Sequence, residues 1–261
     1  MRLLQSNLIP SIQFDTKVWE NDYRLILSKG HLEKLANLIS IPSSNIRILI
    51  NNVVSRRHVN LLAQRAKKSG LIGDFFFVDE LAPDVLKHFD LKKDSLGSGY
   101  RYSICELAGL YLSRKPYILH LSGDSLPAAN IDTSFFELSA ELFKRNEKVR
   151  VTNLMWNESL YEHISQSTSE DSDFWYSEGG FSDQMYFVKS DHFKERIFKF
   201  IHPDSGRYPS AAGPLFEKRV DSWMRVNGYL RATFKHNAYR HTNFPTRLSA
   251  KLLRKLRGTG N

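Results

Sequence analysis

The feature of this sequence that most constrains its fold is the regular alternation of strand-like and helix-like segments over its first two-thirds. Runs rich in β-branched and aromatic residues, typical of buried strands, alternate with segments that carry apolar residues at helical spacing. The strands predicted in this part are SIQFDTKV (11–18), IRILINN (46–52), DFFFVDEL (74–81) and PYILHL (116–121). A helix between two strands makes a crossover connection, which joins parallel strands. The alternation therefore predicts an α/β fold with a mostly parallel central sheet sandwiched by helices.

The helices predicted along the chain have the residues typical of helix ends. Gly70 and Gly228 stand where a helix stops, and Ser103 stands where one begins. The predicted helices are 21–39, 58–70, 103–114, 132–146 and 215–228, and the later strands are 149–157, 180–193 and 229–234. We expect residues 83–99 to form a mixed segment that is partly loop. The polar stretch 161–180 predicts a long loop, either a lid or a mobile segment.

Composition predicts one large domain and limits the kind of site. The chain has 261 residues, 41% of them hydrophobic, and no Gly/Ser/Pro-rich linker divides it, so we expect a single domain over 1–242. The only cysteine, Cys105, excludes an internal disulfide framework and a multi-cysteine metal site. No run approaches the roughly 18 apolar residues of a membrane span, and no signal peptide is evident. We therefore expect a cytoplasmic protein.

Most of the excess positive charge is confined to the C-terminal end. From Arg240 onward there are six Lys or Arg residues and no acid, and removing these six from the net charge of +9 leaves +3. With leucines among these residues, 243–261 reads as a basic amphipathic tail with a short helix over 248–258. The tail predicts either peripheral contact with the anionic inner face of a membrane or a solvated chain end. A nucleic-acid surface, with basic and aromatic residues across one face, is not expected.

Polar segments follow the ends of three predicted strands. They are TKVWEND (16–22), NNVVSRR (51–57) and SGDS (122–125). Because ligands bind at the carboxyl ends of parallel strands, we expect the three segments to meet at one edge of the sheet.

The order of these elements resembles the GT-A fold of glycosyltransferases that use nucleotide sugars. The resemblance covers roughly residues 10–242, and the segments TKVWEND, GFSDQ and LFEKRV are similar to those of bacterial sugar transferases of surface-polysaccharide type. It implies an enzyme that moves a sugar from a nucleoside-diphosphate sugar to a hydroxyl of a glycan or a lipid-linked glycan.

In GT-A enzymes the strand matching PYILHL ends in a DxD motif, whose acids hold a divalent cation, Mn²⁺ or Mg²⁺, against the donor diphosphate. Here the motif reads Ser122-Gly123-Asp124. The resemblance implies that these residues bind the donor and that Asp124 ligates the metal. Metal dependence stays open because Ser122 replaces the first acid. From the residues alone, Asp124 also fits a turn before Pro127.

The resemblance also implies donor contacts from the segment after the first strand. Thr16 and Lys17 would meet the base or the phosphates, and Trp19 offers a flat face or packs in the core. Glu20 and Asp22 would bond ribose hydroxyls or cap the next helix.

Two further segments supply candidate donor contacts. Asn51 and Asn52 offer amide donors and acceptors to a base edge, although such pairs also form ordinary turns. Arg101 fits diphosphate oxygens or lies on the surface.

The catalytic candidates lie in the last third of the chain. Glu217, at the start of a helix, matches the base that inverting GT-A enzymes use to take the acceptor proton. Asp183 is the rival for this role, and Asp183 and Gln184 would otherwise orient the acceptor. His241 matches a late histidine that some GT-A enzymes add to the metal site.

Three alternatives remain at this point. A retaining or non-catalytic GT-A relative fits the degenerate motif. A nucleotidyltransferase should carry a glycine-rich loop after the first strand, and TKVWEND has no glycine. A nucleic-acid-binding protein would spread its basic residues beyond the tail.

Overall fold

A computed structural model describes residues 8–28, 30–194, 196–207 and 213–242. In these residues the strands are β1 (Ile12–Val18), β2 (Ile46–Ile50), β3 (Asp74–Phe77), β4 (Tyr117–Leu121), β5 (Ser125–Pro127), β6 (Val149–Trp156), β7 (Ser169–Glu170), β8 (Phe174–Glu178), β9 (Met185–Lys189) and β10 (Leu230–His241). The helices are α1 (Tyr23–Ser28), α2 (His31–Ile39), α3 (Arg56–Lys68), α4 (Val78–His88), α5 (Tyr100–Leu112), α6 (Thr133–Arg145), α7 (Leu160–Gln166), α8 (Ser190–Phe193) and α9 (Phe216–Val226). None of these helices has the length and apolar content needed to cross a bilayer. The predicted helix at 248–258 lies outside the described residues.

The described strands form one sheet in the order β3-β2-β1-β4-β9-β6-β10-β8-β7, and β5 pairs with β10. Strands β3, β2, β1 and β4 are mutually parallel, and β10 is parallel to β6. Strand β9 runs antiparallel to both β4 and β6. The two parallel groups therefore point the same way, with β9 reversed between them. This topology confirms the predicted α/β fold with a mostly parallel central sheet.

Two apolar layers, one on each face of the sheet, hold the helices against the strands. In β2, Ile48 packs into one layer and the next residue, Leu49, into the other, as the two-residue period of a strand requires. Every residue of β2 is buried, which is typical of a strand covered on both faces. Helices α2, α3 and α6 contribute to the first layer, and α4, α5 and α9 contribute to the second.

Two predicted helices have different limits in the structure. The predicted helix 21–39 is two helices, because Gly30 adopts a left-handed backbone conformation (φ +71°) between α1 and α2. Helix α5 begins at Tyr100 and not at Ser103. The Ser103 hydroxyl donates to a carbonyl one turn earlier (3.0 Å) and accepts from the Phe216 N–H (2.8 Å). It therefore ties α5 to α9 and does not cap α5.

The segment after β3 is helical where the sequence predicts a strand end and a loop. β3 ends at Phe77, and α4 continues through Pro83. Asp79 and Glu80 lie in the first turn of α4, where the helix dipole favours acidic side chains. These two acids and a buried apolar face outweigh the helix-breaking tendency of Pro83.

The prediction of a long loop over 161–180 is wrong in part, because α7, β7 and β8 occupy much of this segment. The signal for β8 was the apolar triplet Phe174 to Tyr176, whose residues are buried and pair with β10. Strand β10 is also longer than the predicted 229–234. A register shift between Phe234 and Ala238 lets β10 leave β8 and continue to His241 beside β5.

The fold holds His163 of α7 in the uncharged form. His163 is buried, its Nε2 accepts the Trp156 N–H (2.9 Å), and its ring stacks on Trp175. Burial, assisted by the charge of Arg231, lowers the pKa of His163 from 6.5 to about 4. Below pH 6.5 the unfolded chain therefore binds a proton here that the folded chain does not, so His163 costs stability as the pH falls towards 4.

We expect a His163→Gln variant to be less stable than the wild type at pH 8, because packing and hydrogen bonding are lost. This difference in the free energy of unfolding should narrow by about 2 kcal/mol at pH 5, because Gln does not titrate. Urea unfolding of both proteins at several pH values measures the difference. Buried carboxyl groups elsewhere affect both proteins equally. A difference that does not change with pH would contradict the assignment.

Candidate active site

A cavity of about 210 Å³ opens where β1, β2 and β4 end. The three polar segments expected at one edge of the sheet meet here, because β1 lies between β2 and β4 and is parallel to both. We call this the first cavity. The residues proposed from the sequence that line it are Lys17, Trp19, Asp22, Asn51, Asn52, Arg101, Ser122, Gly123, Asp124, Asp183, Gln184 and His241.

The side chain of Ser122 supports Asp124. Ser122 Oγ donates to Asp124 Oδ1 (2.9 Å) and lies 2.8 Å from Ser125 Oγ. The backbone N–H of Ser122 donates to the Gln184 carbonyl (2.8 Å), which ties the end of β4 to the start of β9. A serine at the first motif position thus orients the carboxylate two residues later.

Gly123 lies in a space that admits no side chain. A Cβ atom built on Gly123 would lie 2.2 Å from the Lys17 carbonyl oxygen and 2.5 Å from Ile26 Cδ1. The glycine therefore lets the loop after β4 lie against the end of β1. This close approach places Asp124 beside the residues that follow β1.

Asp124 and His241 are the residues that fit a divalent cation. His241 Nδ1 lies 3.4 Å from Asp124 Oδ1 and 3.2 Å from Ser125 Oγ. Asp22 is close enough to Asp124 to respond to its charge. Burial and the Asp124 charge raise the pKa of Asp22 to about 8. Among the described residues no three His, Cys, Asp or Glu side chains converge on one metal position. A six-coordinate cation here would need diphosphate and water oxygens as well.

Two of the proposed donor residues lie outside the first cavity. Thr16 is fully buried in β1. Glu20 accepts from the backbone N–H groups of Val54 (2.6 Å) and Ser55 (3.2 Å). Because these groups precede α3, Glu20 fixes the loop after β1 against the start of that helix. Asp22 accepts the Trp19 N–H (2.8 Å) in the turn before α1 and also lines the first cavity.

Asn51 and Asn52 hold the start of α5 against the end of β2. Both side-chain amides donate to the Arg101 carbonyl oxygen (2.7 Å each). The Arg101 guanidinium lies 5.0 Å from the ring centre of Tyr102. Asn51, Asn52, Arg101 and Tyr102 all line the first cavity. Tyr102, which the sequence analysis did not single out, is 44% exposed there.

Lys17, which lines the first cavity, lies between two carboxylates. Its ammonium donates to Glu106 of α5 and to Asp183 Oδ2 (3.2 Å). Burial acts to lower the pKa of Lys17, but Asp183 and Glu106 raise it well above its usual range. Burial acts to raise the pKa of Asp183, and the charge and hydrogen bond of Lys17 lower it below its usual value. Lys17 and Asp183 are therefore both charged.

Glu217 lines a second cavity of about 320 Å³ beside the first. Asp183 and Tyr102 line both cavities and so mark the boundary between them. Burial and the Asp183 carboxylate raise the pKa of Glu217 well above its usual range. Two neighbouring carboxyl groups thus have pKa values pushed in opposite directions, which is typical of acid–base sites.

No family profile matches the chain, and no curated protein matches it. Among solved structures, TarS residues 1–349 of S. aureus in complex with UDP-GlcNAc matches 90% of this chain at 11% identity with a TM-score of 0.50. The chain has a GT-A-type fold. It spans 60% of that TarS chain. Mouse xyloside xylosyltransferase 1 matches 83% of this chain and 82% of its own at 12% identity, with a TM-score of 0.44. Glucosyl-3-phosphoglycerate synthase of Mycobacterium tuberculosis in complex with Mn²⁺, UDP and glucosyl-3-phosphoglycerate matches 90% of this chain and 72% of its own at 10% identity, with a TM-score of 0.45.

Besides Tyr102, sequence analysis missed Glu106, because the environment of this residue is built by tertiary contacts. Glu106 sits in an apolar helix, α5, and is 1% exposed. Burial raises its pKa to about 7 against the opposing effect of Lys17. A lone acid within the run SICELAGLYL was the available signal, because a buried carboxyl group needs a partner.

Proposed function

We propose that this chain is a glycosyltransferase that moves a sugar from a nucleoside-diphosphate sugar to an acceptor hydroxyl of a glycan or lipid-linked glycan, with inversion. Residues 1–242 would form the transferase domain and 243–261 a separate basic tail. The observation that carries the proposal is the pair of adjoining cavities that share Asp183 and Tyr102. One has the Ser122-Gly123-Asp124 turn, and the other has Glu217.

In this proposal the first cavity takes the donor. Trp19 offers a flat face to the base, and the start of α5, held by Asn51 and Asn52, presents Arg101 to the diphosphate. A guanidinium matches phosphate oxygens with paired N–H groups. A cation held by Asp124 and His241 would neutralise the charge that develops on the leaving diphosphate. The UDP-GlcNAc that accompanies TarS makes a uridine donor the first to test.

The second cavity takes the acceptor hydroxyl. Glu217 removes the hydroxyl proton while the acceptor oxygen bonds to the anomeric carbon. The bond from that carbon to the diphosphate oxygen breaks, and the diphosphate leaves with the electron pair. Direct displacement needs a base opposite the leaving group, and Glu217 and the Asp124 turn lie in different cavities. Asp183, kept ionised by Lys17, orients the acceptor.

The test is a thermal-unfolding screen of UDP, GDP, CDP and ADP, each with and without Mn²⁺. We expect one nucleotide to raise the unfolding midpoint, since a ligand at 100 times its Kd stabilises the native state by about 2.7 kcal/mol. An Asp124→Asn variant should lose the part of this rise in the unfolding midpoint that depends on Mn²⁺. If no nucleotide raises the midpoint under any condition, the proposal fails.

Activity is then measured by release of the nucleoside diphosphate from its sugar in the presence of acceptor glycans. A protein that binds the nucleotide sugar but never releases diphosphate would support the non-catalytic alternative. The configuration at the anomeric carbon of the product, read by NMR, distinguishes inversion from retention.

A further inference from the structure

Asp221 of α9 is a buried charge that lines neither cavity. Its side chain is inaccessible to solvent, and its carboxylate accepts from the Gly180 N–H, from Ser205 Oγ (2.6 Å) and from Arg225 Nε (2.9 Å). Burial acts to raise the pKa of Asp221, but these hydrogen bonds and the Arg225 charge lower it below its usual value. Asp221 is therefore ionised, and its three partners satisfy a charge that would otherwise be costly to bury.

The Gly180 contact fixes the start of the loop that carries Asp183. This loop, residues 180–184, connects β8 to β9. Asp221 accepts the N–H of Gly180, and Arg231 of β10 donates to the carbonyl of the same residue. Hydrogen bonds to charged side chains are stronger than neutral ones. Gly180 is thus held from both of its polar backbone groups, three residues before Asp183.

The other end of loop 180–184 is tied to the turn that carries Asp124. The Gln184 carbonyl accepts the Ser122 N–H (2.8 Å), and the side chain of Ser122 donates to Asp124 Oδ1 (2.9 Å). The loop therefore runs between two fixed points, the Asp221 contact at its start and the end of β4 at its finish.

Helix α9 also carries Glu217, one turn before Asp221. Residues four apart lie on the same side of a helix, so both carboxyl groups face the same loop. The pKa of Glu217 responds, after burial, to the carboxylate and to the backbone N–H of Asp183. Asp221 therefore bonds α9 to Gly180 close to the point where Glu217 faces Asp183.

We propose that Asp221 is a positioning residue that sets the distance between Glu217 and Asp183 across the second cavity. The inference rests on the proposed function, in which Glu217 is the base and Asp183 orients the acceptor. Both groups must reach one acceptor molecule in a fixed geometry, and a misplacement of about 1 Å can slow a reaction about 10²-fold. Asp221 has this effect without touching the substrate, because it holds the helix and the loop together.

Gly179→Ala tests the contact without removing the Asp221 charge. Gly179 has a left-handed backbone (φ +69°), and a Cβ built on it would lie 2.7 Å from Asp221 Oδ1 and 2.8 Å from Arg225 Nε. The added methyl group must separate the loop from the carboxylate. We expect kcat for transfer to fall by about 10–100-fold. Nucleotide affinity should stay close to that of the wild type, because the donor turn keeps its own contacts.

The matched control is Gly228→Ala, at the end of α9. Gly228 has nearly the same left-handed backbone (φ +63°), but a Cβ there meets no atom within 4 Å. Both variants therefore place an alanine in an unfavourable backbone conformation, and only Gly179→Ala disturbs the Asp221 contact. Gly228→Ala should lose stability and keep the kcat of the wild type at a temperature where both variants are folded.

A second readout does not require transfer. The NMR shift of the Asp183 N–H should follow the titration of Glu217, and this change should be absent in Glu217→Gln. Above about pH 5 it is not masked by Asp183 itself, whose carboxyl group is already ionised there. We expect the pH-dependent change to be lost in Gly179→Ala and kept in Gly228→Ala.

Asp221→Ala, which removes the acceptor of the Gly180 N–H, should show the same two effects. A wild-type kcat or an unchanged Asp183 titration in Gly179→Ala would overturn the proposal. So would equal losses of kcat in Gly179→Ala and Gly228→Ala, because lower stability alone would explain them. If neither Gly179→Ala nor Asp221→Ala folds, Asp221 is a structural residue and the proposal also fails. A wild type that releases no diphosphate would refute the proposed function, and the NMR titration would still show whether Asp221 holds Asp183 against Glu217.

Discussion

Replacing Glu217 with Gln is expected to lower kcat for sugar transfer by about 10²–10⁴-fold while leaving nucleotide binding unchanged. The amide keeps the shape of the side chain but cannot accept the hydroxyl proton. Glu217 lines the second cavity and not the first, so the donor contacts should persist. Diphosphate release measures the rate, and the thermal shift with nucleotide measures binding.

The pH dependence of the rate gives a second readout of the same variant. A base acts only when deprotonated, so the wild-type rate should rise with pH through the pKa of Glu217, which burial and Asp183 raise well above its usual range. This acidic limb should disappear in Glu217→Gln. The matched control is Glu137→Gln, which changes an exposed acid of α6. Full activity in Glu217→Gln would remove Glu217 as the base and leave Asp183 for that role.

The sequence predicted the architecture well because the architecture depends on local periodicity. Strand β2 is apolar except for Arg47, and Gly70 and Gly228 have the left-handed backbone of helix ends (φ +77° and +63°). The errors arose where contacts distant in sequence decide the structure. Ser103 resembles a cap locally, but its hydroxyl accepts from Phe216. Likewise, β10 extends beyond Phe234 because it pairs there with β5.

The candidate site was predictable only as a location. Strand ends identified the edge of the sheet, and the segments around Lys17, Asn51 and Asp124 do meet there. Their partners were not readable from the sequence. The structure pairs Lys17, which the resemblance places against the donor, with Asp183 and Glu106. A pairing across 89 residues depends on how α5 packs against β1, and no local pattern encodes that.

Replacing Gly123 with Ala is expected to weaken nucleotide binding at least tenfold and to lower the free energy of unfolding by about 1–3 kcal/mol. The added Cβ would meet the Lys17 carbonyl oxygen at 2.2 Å. A backbone oxygen in a strand cannot yield as a flexible side chain would, so the loop after β4 must move. Asp124 moves with it. The matched control is Gly206→Ala, since a Cβ there meets no atom within 4 Å.

The two effects of Gly123→Ala separate a structural role from a functional one. Urea unfolding measures the stability loss, and titration with the nucleotide found in the screen measures affinity well below the unfolding midpoint. If the turn of Ser122 to Asp124 is the floor of the donor site, affinity falls even where the variant is fully folded. Lost stability with unchanged affinity would make Gly123 a packing residue only and would remove the turn from the donor site. The position of Asp124, and not the overall stability of the sheet, is what this substitution tests.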